Sequence, residues 1–125
     1  MSQALEVGQQ LVALCKEGRY LDAVGTLYAD DIVSIEAQGS EEMPARMEGI
    51  QAIRGKNEWW GANHEVHAMD ATGPFVGHRE DQFAVKFDLD VTQKQSGQRM
   101  QMSEVALYTV RDGKVAQEEF LYLMA

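Results

Sequence analysis

The chain has 125 residues, 45% of them hydrophobic and 25% charged, enough for a single domain over 1–125 whose core needs no staples. Its 20 acidic and 11 basic residues leave a net charge of −9, with no basic stripe to meet a phosphate backbone or an anionic lipid surface, so neither nucleic acid nor membrane is expected as a partner. The single cysteine, Cys15, rules out an intrachain disulfide and a thiolate metal cluster and reads as a small buried hydrophobe.

The N-terminal "MSQALEVGQQ" lacks the basic and apolar regions of a signal peptide, and no run approaches the ~18 apolar residues of a membrane span. A cytoplasmic protein is the expectation. Residues 3–17 then carry Ala4, Val7, Leu11, Leu14 and Cys15 at helical spacing, with Ser2 as a cap and Gly18 as the stop. A second helix is predicted over about 19–29, with Tyr20, Val24, Leu27 and Tyr28 on one side, and Asp30 and Asp31 read as its exit turn. The short alternating segment 32–37 predicts a half-buried strand that carries Glu36 near its end. Residues 38–49, with Gly39, Pro44 and Gly49, read as a loop.

A third helix is predicted from Ile50 to about Trp60, with Ile50, Ile53, Asn57 and Trp60 in line. Beyond it every segment is strand-like: "HEVHAMDATG", "PFVG", "DQFAVKFDLDVTQ", "QRMQMSEVALYTV" and "KVAQEEFLYLM", separated by the turns "GHRED", "KQSGQ" and "VRDGKV". The strand 83–91 alternates cleanly, with Phe83, Val85, Phe87, Leu89 and Val91 inward and Lys86, Asp88 and Asp90 outward. Helices followed by an antiparallel meander give the α+β class. So many strands with three helices must curl around them, which closes one end and leaves a cavity at the other.

This order resembles the nuclear transport factor 2-like superfamily, the SnoaL-like group in particular. The segments that carry the resemblance are "LYADDIVSIEAQG" (27–39), "MEGIQAIRGKNEWW" (47–60) and "TVRDGKVAQEEFLY" (109–122). The resemblance implies a cone-shaped, cystatin-like α+β barrel, its strongly curved sheet mixed but mostly antiparallel, and a homodimer joined through the outer sheet face. It also implies a small, mostly apolar molecule in the cone. The superfamily spans isomerases, cyclases, dehydratases, hydrolases and non-catalytic members, so fold does not name a reaction. "YADDIVSIEAQG" lines up without a gap on the ketosteroid isomerase segment that holds its aspartate base, which places Glu36 at that position. That enzyme pairs its base with a tyrosine and a protonated aspartate. Leu11 stands at the tyrosine position here, and Ala106 near the aspartate position with Glu104 one same-face step away, so its constellation does not carry over as a set.

The last hairpin bears on two more carboxylates. If "RDG" is a three-residue loop, Val110 pairs with Lys114, Tyr108 with Ala116, Ala106 with Glu118, Glu104 with Phe120 and Met102 with Tyr122. Glu104 and Glu118 then share one face with Tyr108, Phe120 and Tyr122. A two-residue Asp-Gly loop would put Glu104 on the face opposite Glu118. Three carboxyls in one cavity could not all ionise cheaply, so Glu36, Glu104 and Glu118 would supply both an acid and a base.

Of the histidines, His78 falls in a turn, while His64 and His67 are three apart and point to opposite faces of a strand. His64 is the one preferred as a general acid/base or hydrogen-bond donor, against a structural or surface role. Trp59 and Trp60 either line the mouth or fill core, and Phe87 faces inward. No tight metal-ligand spacing, nucleophile elbow or nucleotide fingerprint is present, so no metal and no cofactor is expected. The candidate catalytic set is therefore Glu36, His64, Glu104 and Glu118, with Trp59, Trp60, Phe87, Tyr108, Phe120 and Tyr122 lining the pocket. Three readings stand: a cofactor-independent isomerase, cyclase or dehydratase, a non-catalytic binder using the same cavity, and an interaction module.

Overall fold

The computed structural model describes residues 3–41 and 43–123. Ser2, read as the first helix cap, lies outside the described residues. Helix α1 spans Gln3–Lys16, α2 Tyr20–Leu27, and α3 Ile50–Asn63. Six strands, β1 (Tyr28–Ile35), β2 (Arg46–Glu48), β3 (His64–Phe75), β4 (Gln82–Gln93), β5 (Arg99–Arg111) and β6 (Lys114–Leu121), form one sheet in the order β2-β1-β6-β5-β4-β3. Among the described residues only the β1–β6 pair is parallel. This is the α+β class that the element order predicts, with the curved, mixed sheet that the family resemblance implies.

Helix α1 buries the stripe Ala4, Val7, Gly8, Leu11, Val12 and Cys15. It stops where Gly18 takes a φ of +75° and donates to the Cys15 carbonyl at 3.0 Å, while Arg19 donates to Leu14 at 2.9 Å. These two bonds satisfy carbonyls that the helix end leaves open. Strand β4 supplies the facing wall, with Phe83, Val85, Phe87 and Val91 buried. The long strands β3, β4 and β5 pack around α1, and the core lies between them.

Three boundaries differ from expectation. Strand β1 begins at Tyr28, directly after Leu27, so Asp30 and Asp31 lie in a strand rather than a turn. They are exposed, and Asp31 pairs with Arg111 at 2.6 Å. The loop 38–49 contains β2, which pairs Val33 with Glu48 and Ile35 with Arg46. "PFVG" is not a separate strand, since β3 runs on to Phe75.

The β5–β6 hairpin differs from both expected registers. Arg111 pairs with Lys114 and Val110 with Val115, a two-residue turn with Asp112 at φ 52° and Gly113 at φ 76°. Both central residues in the left-handed region is the geometry Asp-Gly favours. The register then shifts, and Thr109 faces Gln117, Tyr108 faces Glu118 and Ala106 faces Phe120. The extra residue is a β-bulge that lets Val115 and Glu118, three apart, both point inward. Glu118 therefore stands opposite Tyr108 instead of Ala106, yet shares the inner face with Glu104.

Candidate active site

A cavity of about 290 Å³ opens between the inner sheet face and the helices. Its lining is largely apolar, from Leu11 and Cys15 on α1 to Phe87, Leu89 and Met102 on the sheet. Among the described residues four charged side chains line it: Glu36, Lys56, Glu104 and Glu118.

Glu118, 2% exposed, sits at the floor. Parallel pairing of β1 with β6 sets Ser34 directly beside it, and the Ser34 hydroxyl donates to Glu118 Oε1 at 2.9 Å. The Tyr28 hydroxyl donates to Oε2. Burial pushes Glu118 up, Glu36 adds to the rise, and the bonds from Tyr28 and Ser34 together with Lys56 oppose it. Tyr28 and Tyr108 are held well above the usual phenol range, first by burial and then by Glu118. Cys15, buried against the same wall, is pushed up to about 12 by burial and by Glu118.

Lys56 comes from α3, one turn beyond the fully buried Ile53. Its ammonium meets Glu36 Oε1 at 2.8 Å, donates to Ser34 Oγ at 2.9 Å, and lies 5.0 Å from the centre of the Phe120 ring. Glu36 follows the last residue of β1, continuing the inward face of Ile32 and Ser34, and its N–H is tied to the Ala45 carbonyl at 2.8 Å. Glu104 projects from β5. Burial, then Glu36, and finally Glu118 raise its carboxyl to about 7, against the pull of Lys56.

Glu36, Glu104, Glu118, Trp59, Trp60, Phe87, Tyr108 and Phe120 all line this cavity. His64 and Tyr122 are not among its lining residues. The His64 ring stacks on Trp60 at 4.6 Å, and its Nδ1 contacts the Trp60 carbonyl at 2.9 Å, so the helix end fixes it. His67 is exposed and meets Thr92 Oγ1 at 2.7 Å. Tyr122 lies past the end of β6, where its hydroxyl accepts from the Gln38 N–H at 3.2 Å. Among the described residues no group of three His, Cys, Asp or Glu side chains could hold a metal ion.

Sequence reasoning missed Tyr28, Ser34 and Lys56. Ser34 could have been found by stepping back two residues from Glu36 along the strand. Lys56 lies three residues from Ile53 and four from Trp60, on the helix face already read as inward.

The family model described as the SnoaL-like domain matches residues 2–122. A structure from Mesorhizobium loti, a proposed SnoaL-like polyketide cyclase also labelled carbohydrate phosphatase, is 43% identical with a TM-score of 0.86 over 94% of this chain and 97% of that one. A computationally designed 17-OHP binder shares the fold at 18% identity and TM-score 0.74, over 99% of this chain and 95% of that one. So does a protein with cystatin-like fold from Xanthomonas campestris, at 12% identity and TM-score 0.77, covering 99% and 92%. Among curated proteins no match is found. The helix order, the curved mixed sheet and the whole-length match together place the chain in the SnoaL-like family of the nuclear transport factor 2-like superfamily.

Proposed function

We propose that the chain binds a small, mostly apolar carbonyl compound in the cone and moves a proton on it without a cofactor, as an isomerase, cyclase or dehydratase would. The observation that carries this reading is Glu104, raised to about 7 in an apolar cavity beside the ion-paired Glu36. A carboxyl that titrates near the working pH can both give and take a proton. Glu36 takes the proton from the carbon next to the carbonyl, Lys56 stabilises the charge left on the oxygen, and Glu104 returns a proton to the enolate. Three carboxyls against one ammonium repel phosphate, which argues against carrying over the phosphatase label of the Mesorhizobium protein. Net charge likewise argues against nucleic acid and anionic membranes as partners; among the described residues no helix is long and apolar enough to cross a membrane.

Deuterium exchange at the acidic carbon of apolar 1,3-dicarbonyl compounds, followed by NMR in D2O, tests the reading. Wild type accelerates exchange, and Glu36→Gln loses roughly 10²–10⁴-fold of it while binding the same compounds. Undiminished exchange in Glu36→Gln removes Glu36 as base. Binding without exchange in wild type leaves the non-catalytic binder.

A homodimer through the outer sheet face is the accompanying inference. Val105 and Leu121 are register partners there, 38% and 47% exposed, a paired apolar spot that a second copy would cover. Sedimentation should give a dimer that Leu121→Glu converts to monomer; a monomeric wild type overturns it.

A further inference from the structure

We propose that Glu118 is a positioning residue, acting through Ser34 to fix Lys56 and, through Lys56, the carboxylate of Glu36. The proposal rests on the reading of the cavity as a site of proton transfer.

The direction of each bond follows from what the groups can do. An ammonium has three donors and nothing to accept with, so Ser34 Oγ must accept in its 2.9 Å bond with Lys56 Nζ. The hydroxyl has one proton, and it is spent on Glu118 Oε1 at 2.9 Å. Tyr28 donates to the other oxygen of Glu118. Glu118 thus accepts on both oxygens, and the chain Lys56–Ser34–Glu118 runs one way from the ammonium to the buried carboxyl. Reversal of the middle link would leave the serine proton with neither of these neighbours to accept it.

The lysine needs this second hold. Its four-carbon stem has many rotamers, and one ion pair with a residue at a strand end does not define one pose. Ser34 is fully buried, and the β1–β6 ladder sets it beside Glu118, so this anchor is as rigid as the sheet. Lys56 is thereby held at 2.8 Å from Glu36 and over Phe120, where it meets the cavity. Glu118 does not need to touch substrate to matter.

The test follows the Lys56 ammonium by ¹⁵N–¹H NMR, reading the exchange of its Nζ protons with water. Ser34→Ala should speed that exchange at least tenfold, and the isosteric Glu118→Gln should speed it several-fold. The double variant should be no faster than Ser34→Ala alone, because both changes act through one link. Tyr28→Phe removes the other donor to Glu118 and should lower stability with Lys56 exchange within twofold of wild type. In the dicarbonyl assay Ser34→Ala should lower kcat with Kd unchanged. Lys56 exchange unaltered in Ser34→Ala, or fully additive effects in the double variant, overturns the proposal. A wild type without proton exchange on substrate overturns the functional reading alone, because the Lys56 signal decides the linkage independently.

Discussion

Lys56 and Glu36 meet at 2.8 Å where α3 crosses the end of β1, with side chains only 15% and 24% exposed. The pair joins a helix that begins after β2 to a strand that ends before it, and both partners line the cavity. Lys56→Met keeps the length of the stem and removes the charge. It should raise Glu104 above about 7, since Lys56 is the group that holds it down. It should also cost about 2 kcal/mol, below the range for a fully buried pair because water still reaches both groups. A ¹³C-carboxyl titration and a urea melt read the two effects.

Glu104 makes stability depend on pH with a defined sign. Its folded carboxyl titrates at about 7 against an ordinary value of 4.5. Below 4.5 it is neutral in both states and costs nothing. Between 4.5 and 7 the unfolded chain ionises first, so stability falls as pH rises, and above 7 the cost is complete at about 3 kcal/mol. Glu104→Gln should therefore gain on wild type in urea melts at pH 8 and not at pH 4. A difference between the two proteins that is flat with pH would exclude Glu104 as the source.

The parts of this arrangement that sequence shows are those with a repeating pattern. Phe83, Val85, Phe87 and Val91 alternate, and Asp112-Gly113 marks a turn, so the strands and the last hairpin were legible. The register was not, because "RDG" suits two loop lengths and the deciding event is a bulge further on. Val115 and Phe120 are both apolar but an odd number of residues apart, and strict alternation cannot bury Val115 and also put Glu118 and Phe120 on the inner face. Glu36 was legible through its alignment with the ketosteroid isomerase base, and Glu104 and Glu118 only under a three-residue loop that the hairpin does not form, their shared face being restored by the bulge. Lys56 was not, because a lysine ordinarily extends its charge to water, and only the assembled acidic cavity gives it a reason to turn in. Tyr28 was hidden by its assignment to the end of α2.

Close packing of α1 on the sheet leaves no room for a methyl group at Gly8. A Cβ on Gly8 would come 2.7 Å from Pro74 Cβ and 3.0 Å from Phe83 Cδ2. Gly8→Ala gains helix propensity, roughly 1 kcal/mol, but must push the helix off two ring side chains that cannot swing away. The clash should win, with a net loss of about 1–2 kcal/mol by urea melt. A more stable variant would show that α1 and β3 part to admit the methyl group without loss of packing.

His64 is the last case, and it separates a residue near the site from one in it. Its ring stacks on Trp60 at 4.6 Å with an interplanar angle of 15°, and it also meets the edge of Trp59 at 6.3 Å. Those contacts need a flat aromatic ring and no proton chemistry. His64→Phe keeps the stack and gives up only the Nδ1 contact with the Trp60 carbonyl, so its stability cost should stay near 1 kcal/mol. His64→Ala also loses the stack, and should cost about 1 kcal/mol more and loosen the two tryptophans at the cavity wall. Both variants belong in the dicarbonyl assay. Exchange in His64→Phe should stay within twofold of wild type, while His64→Ala should weaken binding with kcat preserved. A hundredfold fall in kcat for His64→Phe would return the histidine to the catalytic set, because the ring shape is kept and only its proton chemistry is lost.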